Sequence, residues 1–259
     1  MPLRPRIALL ASFVALWLGA ASAAPLPAAK AWERPVSPRV QQRALRRVLT
    51  HVYEAAQRGE RPVVVVDIDD TAANGRLRLA RAAGRAGLHA TGLVSGDDLY
   101  AGLTGAALTT RRDAFHKLYF DDPKLLALDT PQRGARGFLR AVQQAGGEVL
   151  YVSGRWESTR PATERYLRRL RLPLARSADL LLNPSEALGA SEWKLQAQAQ
   201  IAARGKPIAA FDNEAEAAAG YHAAFPGAHV FRLATFRFRA LPADKPADLL
   251  VLEDFSLDR

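Results

Sequence analysis

Apolar positions along the chain gather into five short runs, near residues 63–68, 148–152, 179–182, 207–211 and 228–232. The first opens with four valines, Val63 to Val66. β-Branched residues at consecutive rather than alternating positions predict a strand buried on both faces, as in a parallel sheet. Between the later runs the apolar spacing lengthens to a helical period over Ser158–Arg171, Ser191–Arg204 and Glu214–Ala224. Ser191, ahead of Glu192, reads as a helix N-cap. Upstream, Val40, Leu45, Val48, Leu49 and Val52 recur at helical spacing over residues 39–58, with arginines between them. Strands alternating with helices predict an α/β fold, a doubly wound parallel sheet with right-handed crossovers.

The interval between the first and second strands is longer than one crossover needs. Residues 75–131 read as an insertion of small helices over Arg76–Gly84, Gly96–Leu108 and Thr110–Tyr119. The pairs Asp97-Asp98 and Asp121-Asp122 read as caps or turns between them. The expected organisation is a core of residues 39–74 and 132–259, a helical cap module of residues 75–131 after the first strand, and a Pro- and Ala-rich linker at 24–38. The segment after Phe236 receives no assignment.

The first strand runs directly into Asp67, Asp69, Asp70 and Thr71. In open α/β sheets, ligands collect beyond the carboxyl ends of the strands, and carboxylates bunched there need a cation. Two acids at i and i+2 suit Mg²⁺, which takes one or two carboxylates, waters and phosphate oxygens. Three further stretches bear on this. Val149-Leu150-Tyr151-Val152 ends in Ser153-Gly154-Arg155, Glu192-Trp193-Lys194 opens a helical pattern, and Ile208-Ala209-Ala210-Phe211 ends in Asp212-Asn213-Glu214. The chain here resembles the haloacid dehalogenase-like superfamily. That family carries Asp-x-Asp-x-Thr after its first strand, then Ser or Thr after a second, then Lys, then an acid after a later strand. All four motifs occur in that order and span most of the chain. The Asp-x-Asp-Asp-Thr form behind a leader is also similar to the exported class B and class C acid phosphatases.

The resemblance implies a phosphatase rather than a dehalogenase, since the family's dehalogenases lack the second aspartate. It implies Asp67 as nucleophile and Asp69 as general acid and then base. Thr71, Ser153, the amide of Gly154 and Lys194 would bind the phosphate, and Lys194 would also neutralise Asp67. Mg²⁺ would be held by Asp67, the backbone carbonyl of Asp69 and Asp212. Lys206 competes with Lys194 but precedes its strand. The fourth motif is loose: Asn213, Glu214 and Glu216 stand where a second acid is usual, so the second metal ligand is open. Asp70 is as readily a structural cap as a functional group. Arg155 is open between the substrate and a nearby carboxylate.

Composition narrows the alternatives. There is no cysteine, which excludes disulfides, zinc–thiolate sites and thiol catalysis. His51, His89, His116, His222 and His229 show no metal-ligand spacing. The net charge of +10 is carried mostly by arginine and reads as solvated helix faces, although a basic surface also draws nucleic acid, anionic membrane or phosphorylated substrates. Arg4 and Arg6, the apolar stretch Ile7–Leu18 and Ala21-Ser22-Ala23 match a secretory signal peptide cleaved after Ala23; an uncleaved anchor is the alternative. The expectation is an exported, periplasmic or secreted phosphomonoesterase acting on a small phosphorylated substrate, with no membrane span after cleavage and with nucleic acid an improbable partner. The alternatives are a phosphate-ester-binding protein of weak turnover and a nucleic-acid end phosphatase.

Overall fold

A computed structural model describes residues 28–89 and 95–258. The signal peptide predicted at 1–23 lies outside the described residues. The elements run α1 (Ala28–Glu33), α2 (Pro38–Gln57), β1 (Pro62–Val66), β2 (Ala73–Asn74), α3 (Arg76–Arg85), α4 (Gly96–Leu99), α5 (Gly105–His116), α6 (Pro123–Leu126), β3 (Thr130–Pro131), α7 (Ala135–Gln144), β4 (Glu148–Trp156), α8 (Arg160–Arg169), β5 (Leu180–Asn183), α9 (Ala190–Gln196), α10 (Gln198–Arg204), β6 (Lys206–Asp212), α11 (Ala215–Ala224), β7 (His229–Leu233) and β8 (Leu250–Leu252). A π-helical turn, Lys117–Asp121, extends α5.

Six strands form one parallel sheet in the order β5-β4-β1-β6-β7-β8. All five strand segments predicted from apolar runs stand in it. β1 is central and buried at every position, which is why its sequence is continuous valine rather than alternating. Helices α2, α7 and α8 cover one face through Leu45, Val48, Phe138, Leu139 and Leu167. The other face is covered by Trp193, Ile201, Ala218 and Tyr221 of α9, α10 and α11, together with Trp32.

Several elements differ from the sequence reading. Helix α7, to which no element was assigned, presents Ala135, Phe138, Leu139 and Val142 to the sheet at helical spacing. The predicted helix 191–204 divides into α9 and α10 at Ala197. Its N-cap is Gly189, and Ser191 lies buried inside the first turn, so the cap assigned to Ser191 falls two residues too late in the chain. The tail that resisted assignment supplies the sixth strand, β8, and sends Phe236 into the core of the inserted segment.

The stretch read as a linker is not bare: it holds α1, and Trp32 is fully buried. Trp32 Nε1 donates to the Pro242 carbonyl at 3.0 Å, and its own carbonyl accepts from Arg232 Nη1 at 2.7 Å. Trp32→Ala is therefore expected to destabilise the fold by about 3–5 kcal/mol, read as a lower urea midpoint with an unchanged slope.

Residues 75–131 leave and rejoin the core through the two-stranded antiparallel ribbon β2–β3. The segment has a core of its own around Leu79, Ala82, Phe115, Tyr119 and Leu125. The expected second and third helices are resolved differently, as short α4 and a longer α5 that runs to His116. Asp122 caps α6 by accepting from the amides of Lys124 and Leu125, and Ser95 caps α4 by accepting from the Asp98 amide. Among the described residues no helix is long and apolar enough to cross a membrane.

Candidate active site

Strand register assembles the site. Val66 of β1 lies opposite Tyr151 of β4 and Phe211 of β6, so Asp67, Ser153 and Asp212 all emerge at the carboxyl edge of three neighbouring strands. The Asp67 amide still donates to the Phe211 carbonyl at 3.0 Å. Beyond it the chain turns sharply: Asp70 adopts φ 55°, a left-handed conformation that a non-glycine residue takes at some cost. The turn is held from several sides. Tyr119 donates its hydroxyl to Asp70 Oδ2, Thr235 donates to the Asp70 carbonyl, and the Gly75 amide donates to Asp70 Oδ1 at 3.2 Å.

Lys194 reaches into this edge from α9. Its Nζ lies 2.9 Å from Asp67 Oδ1 and 2.7 Å from Asp212 Oδ2, with all three side chains almost completely buried. Burial pushes Asp67 up to about 7, against the pull of Lys194, and pushes Asp212 up as well. One ammonium shared by two carboxylates cannot satisfy both. Lys206, the competing candidate, is exposed and pairs with Glu60 at 2.9 Å.

Asp69 is held differently. Arg155 binds it at both oxygens, Nε to Oδ2 at 2.7 Å and Nη2 to Oδ1 at 2.8 Å, and Arg78 Nη2 adds a third bond at 2.8 Å. Burial opposes its ionisation, but Arg155 and Arg78 prevail and hold this carboxyl well below the usual range. In this arrangement Asp69 is an anion with both oxygens occupied. A general acid must carry a proton, so the role inferred from the resemblance needs at least one guanidinium to withdraw.

Arg78 was not singled out in the sequence. It is fully buried, lies over the Tyr119 ring at 4.0 Å and donates to the Tyr119 carbonyl at 3.0 Å. Its Nε stands 3.1 Å from Asp129 Oδ1, off the hydrogen-bonding direction. Burial pushes Asp129 up to about 6 and Asp70 up to about 7. A signal for Arg78 existed: among the arginines of α3 it shares the buried stripe with Leu79, Ala82 and Ala83, where an arginine needs a partner.

The remaining predicted residues fall as follows. Ser153 is buried and its hydroxyl accepts from the Arg155 amide at 3.2 Å, while Trp193 Nε1 holds its carbonyl at 3.1 Å. Gly154 leaves no room for a side chain, since a Cβ there would lie 2.4 Å from Ala190 Cβ at the start of α9. Thr71, placed with the phosphate-binding groups by resemblance, donates its hydroxyl to Asn213 Oδ1 at 3.1 Å and so ties two loops together. Asn213 in turn donates to the Phe236 carbonyl at 2.6 Å. Glu214 accepts from the amides of Phe238 and Arg239. Glu216 is exposed. Of the open candidates for a second metal ligand, two are thus engaged elsewhere and one faces solvent.

Charge decides whether a cation fits. Asp67 and Asp212 share the single ammonium of Lys194, and the nearby Glu214 adds to the negative charge there. An added cation would relieve that crowding. Among the described residues no three His, Cys, Asp or Glu side chains converge as a metal cage. The donors available are the carboxylates of Asp67 and Asp212 and backbone carbonyls, a set that suits Mg²⁺ with retained waters better than a dedicated cage metal.

No protein-family model matches the chain, and no curated protein matches its sequence. Solved structures do. A predicted phosphatase from Clostridium acetobutylicum superposes with a TM-score of 0.51 at 12% identity, over 75% of this chain and 94% of that one. The likeness is one of fold: a parallel α/β sheet with helices on both faces. Protein tyrosine kinase A of Mycobacterium tuberculosis superposes with a TM-score of 0.52 at 17% identity, over 74% of this chain and 92% of that one. A class C acid phosphatase from Bacillus anthracis superposes more loosely, with a TM-score of 0.41 at 14% identity over 73% and 68% of the two chains. Because one fold hosts many activities, function has to be argued from the site itself.

Proposed function

We propose that the chain is an exported phosphomonoesterase that hydrolyses a small phosphate monoester through an aspartyl-phosphate on Asp67. The observation that carries this reading is the buried Asp67–Lys194–Asp212 triad at the carboxyl edge of adjacent strands. Phosphoryl transfer needs little beyond charge neutralisation and in-line positioning, and this edge supplies an anionic nucleophile beside a fixed ammonium. Asp67 attacks phosphorus, and the ester P–O bond breaks. Once Arg155 turns toward the incoming phosphate, Asp69 takes up a proton from solvent and delivers it to the departing oxygen. Arg155 is the arginine suited to move, since its side chain is 13% exposed and that of Arg78 is fully enclosed. Asp69 then takes a proton from the water that attacks the aspartyl-phosphate, and Asp67 is regenerated. Ser153 and the Gly154 amide orient the phosphate, and Lys194 balances its oxygens.

Mg²⁺ would be held by Asp67, Asp212 and the backbone carbonyl of Asp69, and when bound it neutralises charge on the transferring phosphate. Export rests on the leader pattern over Arg4–Ala23. A second reading, a phosphate-ester-binding protein of weak turnover, is favoured by the clamp on Asp69. The chain from Ala24 onward, assayed on an aryl phosphate with Mg²⁺ and with chelator, separates the two. Metal-dependent hydrolysis supports the phosphatase. Binding of inorganic phosphate without hydrolysis of a broad ester panel supports the second reading and overturns the first.

A further inference from the structure

The positive charge of this protein is not spread evenly; it is gathered on one face of the sheet. Helices α2, α7 and α8, which cover that face together, carry ten arginines against Glu54 and Glu164. The helices of the opposite face, α9, α10 and α11, balance Lys194 and Arg204 against Glu192 and Glu216. The helices of one layer thus hold a formal excess of eight positive charges, six once Asp258 and Glu157, paired with Arg46 and Arg160, are counted, and those of the other layer hold none. Random solvation of a basic protein does not produce this separation.

On the basic layer Arg39, Arg43, Arg47, Arg140 and Arg165 are exposed, and among the described residues none has a carboxylate within 4.0 Å. Each of these side chains is therefore available to an outside anion. The three helices lie side by side on the sheet: α2 packs on α7, and Arg136 Nε of α7 donates to the Leu170 carbonyl at the end of α8 at 2.7 Å. Two large apolar side chains, Val40 and Tyr53, stand exposed among the arginines of α2 at 38% and 55%.

We infer that the α2–α7–α8 layer is a docking face for an anionic lipid surface. Unpaired guanidiniums spread over three adjacent helices match the laterally dense negative charge of headgroups. Arginine stems lie along apolar surface while their heads stay at the phosphates, and a tyrosine among them suits the headgroup level. Duplex nucleic acid would ask instead for a helix end, ribbon or concave groove that follows a cylinder. The active site opens at the carboxyl edge of the strands, beside the basic layer rather than within it, so docking leaves it accessible.

The test is co-sedimentation of the chain from Ala24 with phosphatidylcholine vesicles, with and without about a third phosphatidylglycerol. Partitioning is expected to be at least about tenfold stronger on the anionic vesicles and to vanish when salt rises to about 0.5 M. Replacing Arg39, Arg43, Arg47 and Arg140 together by Gln is expected to weaken it by about 10²-fold while aryl-phosphate turnover and melting temperature stay unchanged. A control that removes the same charge from the inserted segment, at Arg76, Arg81, Arg112 and Lys117, is expected to weaken it far less. Equal losses in the two variants would reduce the effect to net charge and overturn the proposal. Binding to duplex DNA but not to anionic vesicles at the same ionic strength would overturn it in favour of a nucleic-acid face.

Discussion

Asp67→Asn is expected to lower turnover of an aryl phosphate by roughly four orders of magnitude, the scale on which removing an attacking group acts. It is also expected to raise the stability of the metal-free protein at pH 8. Burial lifts the Asp67 carboxyl from its ordinary 3.8 to about 7. A folded-state value above the unfolded one means that ionisation costs the folded state. That cost is absent below about pH 4, grows as pH rises toward 7 and is complete above it. Asp70 adds a cost with the same sign over the same window. Asp69 has the opposite sign: its folded value is depressed, and the stability it contributes at neutral pH is lost only on strong acidification. The amide removes the Asp67 cost and leaves Lys194 paired with Asp212 at 2.7 Å. Melting in chelator at pH 5 and pH 8 should show the variant ahead by a few degrees at pH 8 and by less at pH 5. A variant that melts below the native protein at pH 8 would show that the pairing with Lys194 outweighs the burial of Asp67. Such an exchange of stability for function is common where charges are held ready for a ligand.

How far the molecule can be read from sequence depends on whether a residue's role is local or long-range. The strands were legible because burial on both faces leaves an unbroken apolar run, as at Val63–Val66. The positions of Asp67, Ser153 and Asp212 were legible with them, since each terminates such a run. Lys194 was legible only through its place between motifs; nothing in its own helix turn separates it from a solvated lysine. The clamp on Asp69 was legible only in part: Arg155 stood open between the substrate and a nearby carboxylate, and Arg78 gave no such reading. Arg155 and Arg78 reach it from β4 and from the inserted segment, separations of 86 and 9 residues, and only the fold brings their guanidiniums to opposite sides of one carboxylate. β8 escaped notice because three residues, Leu250–Leu252, form too short a run to separate from a loop. Trp32 stood in a segment whose alanines and prolines suggest a linker, and one aromatic in such a context carries no periodicity. The sidedness of the arginines was hidden for a related reason: a linear charge count cannot tell which helices share a face.

Lys194→Met carries the largest expected cost in stability. It leaves Asp67 and Asp212 facing each other in a buried site with no cation, a loss on the order of 3–5 kcal/mol and a fall in melting temperature of about 10 °C or more for a chain of this size. Lys206→Met removes a lysine that is exposed and pairs only with Glu60, and the change should stay within about 0.5 kcal/mol. The two lysines flank the same stretch of sequence, so burial alone separates the outcomes. The deficit of the Lys194 variant should also depend on pH. Both carboxyls are already pushed upward by burial, and without the ammonium they rise further, so that a shared proton can replace it on acidification. Native and variant melting curves should therefore converge toward pH 5 and diverge toward pH 8. A constant gap across that range would mean that Lys194 contributes packing rather than charge. Its partnership with Asp67 and Asp212 would then cease to support a phosphoryl-transfer site.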